Sequence, residues 1–434
     1  MLDPNGTVGY SGIDVRSQTA VWYSLNEVSP ERALRGPETG PEASTRYQSD
    51  GLDRQHGTRR PDGHRVPGEG LEEISRDQTP DIDVPVPLFL ARICVPGMKA
   101  RGPAAHAPDV RGLGFRRYRG EEDLPHFLSI WEKSRPVDRM LTVMTLERLQ
   151  AGYRNLINCD PARDIFVAQV GDEVVGYGWL NWTREVDGSY VYEHYSMLAP
   201  EWRGRGIWRA LLRRQEARIR DIAADHEPDS PKKMNQWTSE TELHRVSLLE
   251  SDGHEPDRYF YEMLRDLTRE IEPHPVPHGL EIRPVLPEQT RQIYESHWEA
   301  SLDHWGAREM EDADYRRFCE DPTFEPQLWV VAWDGNRVAG NVLNWIDENE
   351  NEVEGRQWGY TEEISVGRRY RNRGLARALI SRSLRMLREK GMTHANLGVD
   401  TQNPSGALRL YQGLGYELFK TYTVYRKLIG PAAG

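Results

Sequence analysis

Three stretches of this chain occur twice, in the same order. VGDEVVGYGWLNW (Val170–Trp182) parallels WDGNRVAGNVLNW (Trp333–Trp345), which sets Gly176 and Gly340 164 residues apart. WRGRGIWRALLRR (Trp202–Arg214) parallels YRNRGLARALISR (Tyr370–Arg382), with 168 residues between Arg203 and Arg371. LLESDGHEP (Leu248–Pro256) parallels LYQGLGYEL (Leu410–Leu418), with 162 between Gly253 and Gly415. FRRYRGEED (Phe115–Asp123) opens one copy and EIRPVLPEQ (Glu281–Gln289) the other. Self-similarity at a nearly constant offset marks a duplicated structural unit. Each copy mixes strand-like and helix-like stretches, which predicts an α/β or α+β fold.

At 434 residues the chain exceeds one average domain. The repeat divides it into a first copy over 109–270, a linker over 271–279 and a second copy over 280–430. The linker is marked by the prolines of EPHPVPHG (Glu272–Gly279). Residues 1–108 carry 12 Pro and 12 Gly without sustained periodicity. Such a stretch buries too little apolar surface to offset its ordering entropy, so a disordered segment is expected there. Met98 stands just before the first ordered pattern, which raises an over-extended start codon; a regulatory tail is the alternative. The net charge of −12 argues against nucleic acid as a partner. Cys94, Cys159 and Cys319 form no metal or redox spacing, so no metal is expected. The run Val84–Val95 is short and broken by prolines and Arg92, too little to span a bilayer. The first residues lack the charged and apolar blocks of a signal peptide, so none is expected. A soluble cytoplasmic protein, monomer or homodimer, is the expectation.

RYRNRGLARALISRSLRMLREKG (Arg369–Gly391) combines a basic, glycine-containing loop with an amphipathic helix. Leu375, Leu379, Ser383 and Met386 fall near a 3.6-residue period, and Gly391 is a plausible stop. Gly374 and Ala376 leave the backbone of the first turn accessible. A helix start presents unpaired N–H groups and a partial positive charge, which suits an anion. WGYTEEISV (Trp358–Val366) reads as the preceding strand. The loop is neither a P-loop nor a GxGxxG fingerprint.

RNRGLA (Arg371–Ala376) resembles the acyl-coenzyme A signature of the GNAT acetyltransferase superfamily, Arg/Gln-x-x-Gly-x-Gly/Ala. NPSGALRLYQGLGYE (Asn403–Glu417) is similar to the second block of that family, and the strand-like HANLGV (His394–Val399) lies between them. The resemblance covers about 113–429 and implies two tandem GNAT-like domains. Each would be a mixed, mostly antiparallel sheet flanked by helices, splayed after its central strand, with acyl-CoA in the V. It implies acetyl-CoA as co-substrate and a small-molecule or peptide amine as acceptor, with direct transfer in a ternary complex. A non-catalytic acyl-CoA-binding sensor or interaction protein is the alternative.

The copies differ at the residues that would do this work. Trp208 stands where the second copy has Ala376, and Leu249 where it has Tyr411. An alignment without gaps puts His194 and Tyr195 opposite Glu362 and Glu363, with Glu193 one position earlier. The first copy is therefore expected to be degenerate, a brace for its sibling, with residual coenzyme binding through Arg203–Gly206 as the alternative.

In the second copy, backbone N–H groups of the loop and helix start (Asn372, Gly374, Leu375, Ala376) would hold the pyrophosphate. Arg369, Arg371 and Arg373 are candidates to neutralise the phosphates. By resemblance, backbone over Ile364, Ser365 and Val366 pairs with the pantetheine arm and offers an N–H to the oxyanion, and Asn403 contacts the pantetheine. Tyr411 is the candidate general acid, because a phenol can protonate a thiolate. Glu362 and Glu363 are candidate bases. Neighbouring strand residues face opposite ways, so both reach the cleft only across a bulge. Trp358 and Tyr360 could line the pocket. His297 and His304, seven apart in a helical stretch, read as a packed face, and DENENEVEG (Asp347–Gly355) as a solvated hairpin loop.

Overall fold

A computed structural model describes residues 108–403 and 405–430. The disordered segment expected over 1–108 lies, apart from Pro108, outside the described residues. The first copy runs β1 (Leu113–Arg117), α1 (Leu124–Asp138), α2 (Leu146–Arg154), α3 (Pro161–Asp164), β2 (Ile165–Val170), β3 (Glu173–Arg184), β4 (Tyr190–Leu198), α4 (Ile207–Ala224), β5 (Lys232–Ser239), α5 (Leu243–Ser251) and β6 (Glu255–Asp266). The second runs β7 (Glu281–Ile282), α6 (Thr290–Ser301), α7 (Asp312–Cys319), β8 (Val330–Asp334), β9 (Arg337–Trp345), α8 (Glu348–Glu354), β10 (Trp358–Val366), α9 (Leu375–Glu389), β11 (His394–Asp400), α10 (Ala407–Gly413) and β12 (Glu417–Leu428).

All the strands join one twelve-stranded sheet, ordered β1-β2-β3-β4-β5-β12-β6-β11-β10-β9-β8-β7. Only β4–β5 and β10–β11 run parallel, and both of these pairs are brief. Tyr190–Glu193 pair with Lys232–Asn235, and Trp358–Tyr360 with His394–Asn396. Beyond those residues the strands part, so β4 and β10, still paired with β3 and β9, each run along one side of a fork.

The repeated glycines have a steric reason. A Cβ on Gly340 would stand 2.7 Å from the Ser365 carbonyl and 3.2 Å from the Leu379 side chain; one on Gly176 would meet Leu198 at 2.8 Å. Helices α9 and α4 thus sit close on strands β9 and β3. Leu375, Leu379, Ile380, Leu384 and Leu387 bury the apolar face of α9 against β8–β11.

The sixth strands are exchanged. β12, the last strand of the second copy, pairs with β5 of the first, from Tyr422↔Ser239 to Leu428↔Lys233. β6, the last strand of the first copy, pairs with β11 of the second, from Phe260↔Asp400 to Asp266↔His394. An ionic knot around two buried carboxylates holds the exchange: Lys427 of β12 donates to Glu216 at 2.6 Å and to Asp252 at 2.8 Å, and Arg213 reaches both carboxylates. Glu216, Asp252 and His254 cluster as metal ligands can, but these cations already compensate the acids. No helix among the described residues is long and apolar enough to cross a membrane.

The acidic stretch 347–355 corrects the expected hairpin loop. Asp347 accepts from the Glu350 N–H and caps α8, and its carboxylate pairs at 2.8 Å with the buried Arg148 of the first copy. Glu350 is buried against Arg356 and the Tyr360 hydroxyl. A solvated loop gives way to a bridge between copies because every buried acid there finds a cation or a donor.

Candidate active site

The strand β10 does not run straight. Its ladder with β9 pairs Glu362 with Leu343 and Ser365 with Asn341, so one extra residue is inserted between them. Glu363 takes φ +50°, a left-handed conformation that costs a side-chain-bearing residue about 1–3 kcal/mol. Two contacts hold it there. The Asn341 side-chain N–H donates to the Glu363 carbonyl at 2.6 Å, and Ser365 Oγ donates to Asn341 Oδ1 at 2.7 Å. His297 Nε2 of α6 lies 2.6 Å from Glu363 Oε2, and both side chains are buried.

This bulge answers the question left by the adjacent acids. Directly paired residues share a face, and Leu343, opposite Glu362, packs with Ile293 of α6. Glu362 and Glu363 therefore both turn to the α6 side of the sheet. Glu362 Oε1 accepts from the Gly398 N–H at 2.8 Å, across the opening between β10 and β11. Tyr411, on α10, is buried, and burial first and the Glu362 carboxylate second push its phenol well above its ordinary pKa. Tyr360, which could have lined a pocket, instead stacks on Trp345 with ring centroids 3.6 Å apart.

At the start of α9 a cavity of about 290 Å³ opens. Val366, Arg371, Asn372, Gly374, Leu375 and Ala376 line it, all expected. Tyr370, Arg377 and Leu410 line it as well and were missed; only Arg377, a cation one residue after Ala376, carried a readable signal. Gly374 has φ +83°, and a Cβ there would meet nothing within 4 Å. Arg369 and Arg373 are exposed, and Arg373 Nη2 donates to the His278 carbonyl of the linker. Asn403 Oδ1 accepts from the Ser405 N–H, shaping the turn before α10.

Arg371, a candidate to neutralise the phosphates, lines the cavity and also makes three contacts within the protein. Its Nε donates to the Val366 carbonyl at 3.0 Å, Nη1 to Asp303 at 2.9 Å and Nη2 to the Ala300 carbonyl at 3.2 Å. The side chain thus clamps the loop to α6 and the turn after it, using three of its five N–H donors. Arg203 repeats the clamp in the first copy, donating to the Leu198 carbonyl and, at 2.7 Å, to both Asp138 oxygens. His304 lies beside this loop, and burial, with His297 next, pushes its imidazole down to about 4.

The first copy fills the equivalent space. Trp208 is buried and donates to Ser196 Oγ at 2.8 Å. The Arg245 guanidinium lies 3.7 Å from the Tyr195 ring centre and 5.2 Å from that of Trp208. β4 pairs with β3 without interruption from Gly176↔Leu198 to Arg184↔Tyr190. Without the bulge, the register sets Tyr195 level with Glu362 and leaves Glu363 without a counterpart, which corrects the ungapped alignment.

The family model for the acetyltransferase (GNAT) family matches residues 127–227 and 290–416. The chain is similar to a mycothiol acetyltransferase of Geodermatophilus obscurus, 26% identical over 261 residues, covering 58% of this chain and 79% of that protein. It is equally similar to one of Thermobispora bispora, 26% identical over 258 residues, covering 59% and 81%. A GCN5-related N-acetyltransferase from Sphaerobacter thermophilus shares the fold, with TM-score 0.57 and 21% identity, covering 75% of this chain and 98% of that one. So does a tandem GNAT protein from the clavulanic acid biosynthesis pathway, with TM-score 0.50 and 16% identity, covering 74% and 99%.

Proposed function

The chain belongs to the GNAT acetyltransferase family, and from that premise we propose that its second copy, over about 280–430, transfers acetyl from acetyl-CoA directly to an amine. The carrying observation is that one fork alone combines a cavity at its helix start, a bulged strand with two acids, and a buried tyrosine. The fit to the coenzyme rests on Gly374, where a Cβ would meet only open space, and on the N–H groups of the first turn of α9. Acetyl-CoA brings the thioester. Arg369 and Arg377 supply phosphate-side charge, while Arg371 fixes the loop.

In this reading Glu362 takes the amine proton, held toward the opening by the Gly398 N–H. Backbone N–H groups of the Ile364–Val366 stretch stabilise the charge that develops on the carbonyl oxygen. Past Tyr360 no strand among the described residues pairs with the other edge of β10, so the N–H groups of this stretch that do not bond β9 face the fork. Tyr411 gives its proton to the departing thiolate. Its raised pKa keeps it loaded, and the same dry surroundings raise the basicity of the thiolate.

The copies, 109–270 and 280–430, then divide the labour: the first is a brace and the second the enzyme. The acceptor is an amine, small or peptidyl, in a cytoplasmic setting; the relatives' name makes a mycothiol-type amine one arm of the test. An assay of free thiol from acetyl-CoA across a panel of amines and peptides decides it. Turnover on at least one amine is expected; tight CoA binding without turnover on any would sink this reading in favour of a sensor.

A further inference from the structure

We infer that His297 is a positioning residue for the transfer. It holds Glu363, and through Glu363 the bulge of β10, in the conformation that leaves the Ile364–Val366 backbone turned to the fork. The inference rests on the reading of that fork as the acetyl-transfer site.

The bulge needs a holder. Glu363 sits at φ +50° with nothing in its sequence neighbourhood, no Gly or Asn, to favour it. Asn341 fixes its carbonyl from β9. Its carboxylate is buried, and a buried acid without a close partner is costly. His297 Nε2 is 2.6 Å away, on a helix that also anchors the coenzyme loop: Ala300 accepts from Arg371, and Asp303, just beyond the helix, binds Arg368 and Arg371. A single element therefore ties down both the bulge and the loop.

The other copy supplies an internal comparison. α1 and α6 follow short 3-10 turns of equal length, Glu121–Asp123 and Pro287–Gln289. Trp131 and His297 stand at the same step, seven residues after Leu124 and Thr290. Trp131 donates to the Thr142 carbonyl at 3.3 Å, and β4 opposite it pairs unbroken. Histidine, acid and bulge occur together in one copy and are absent together from the other.

The test compares His297→Leu with His297→Gln in the whole chain, because a glutamine amide can still donate to Glu363 and a leucine cannot. For the leucine variant kcat is expected to fall by about 10- to 100-fold, below the ~10²–10³ lost when an oxyanion donor is removed outright. Its affinity for CoA should stay within about twofold. The glutamine variant should recover most of the rate, and Ile364–Val366 amides should exchange hydrogen faster only in the leucine variant. Wild-type kcat in the leucine variant would overturn the inference, as would equal loss in both variants, which would mean the ring matters only as packing. If the leucine variant does not fold, His297→Asn, polar but too short to reach, replaces it with the same outcomes. If the wild type acetylates nothing, the transfer reading fails by itself, and hydrogen exchange still judges the clamp: equal exchange in all three proteins refutes it.

Discussion

At the helix start after the fourth strand, one copy places Trp208 and the other Ala376; on the helix that closes the fork, one places Arg245 and the other Ala407. The first pair is bulky, with Arg245 lying over the rings of both Tyr195 and Trp208. The second pair is small, and a cavity opens beside Ala376. Both copies keep the arginine clamp, the close-packed glycine and the parted strands. What builds the fold is thus common to both copies, while the residues beside the two helix starts differ, and on the proposed function that difference separates a brace from an enzyme.

The sharpest way to break the comparison is to exchange the small and large residues. Ala376→Trp should abolish CoA binding by calorimetry, because an indole at the helix start fills the space the pyrophosphate would take. The reciprocal Trp208→Ala should cost about 3–5 kcal/mol of stability from the lost packing and should not create a second site. Two CoA bound per Trp208→Ala chain would mean that Trp208 alone closes the first fork.

Tyr411→Phe removes only the hydroxyl. Turnover should fall by ~10²–10⁴, the usual range for a general acid, with melting temperature and CoA affinity nearly unchanged. Leu249→Tyr, the matching change in the first copy, should restore nothing. Wild-type turnover by Tyr411→Phe would move the proton donor elsewhere.

Arg371→Ala separates clamp from phosphate ligand. With three protein partners lost, the variant should lose stability by more than the ~1.5–3 kcal/mol of a charge-assisted contact. Arg369→Ala, exposed and without a role in the fold, should weaken CoA binding and leave melting alone. The reverse pattern would return Arg371 to the phosphates.

Much of this was legible in the sequence, and the rest was not for definite reasons. Gly374, the loop around it and the helix start lie within a few residues of one another, so a local motif carries them. The exchange of β6 and β12 leaves no trace, because each strand shows the same residues to either neighbour. The adjacent acids raised a bulge only as a condition, and its place at Glu363 is unmarked, since two glutamates carry none of the turn chemistry that marks a positive φ. The Arg371 clamp depends on Asp303, 68 residues away, so its charge read as free for a ligand. The acidic run became a helix because Arg148 of the other copy meets it.

The smallest expected effect concerns what took the place of chemistry in the first copy. His194 and His254 lie buried behind β4, rings 5.7 Å apart, beside the ionic knot that holds β12. Burial pushes His194 down to about 3 and His254 to about 4, so both are neutral in the folded chain. As pH falls below about 6.5 the unfolded chain binds a proton at each that the folded chain refuses, and stability is lost progressively down to those lower values. His254→Gln removes one such proton. The unfolding free energy of the wild type should therefore drop faster between pH 7 and 5 than that of the variant, by no more than ~1.4 kcal/mol per pH unit, and its melting temperature should fall with it. Raised carboxylates such as Glu193, pushed by burial to about 7, act with the opposite sign, but they are common to both proteins and cancel in the difference. Parallel curves would mean that water reaches His254 and that the packing of the first copy around the exchanged strand is looser than its role as a brace requires.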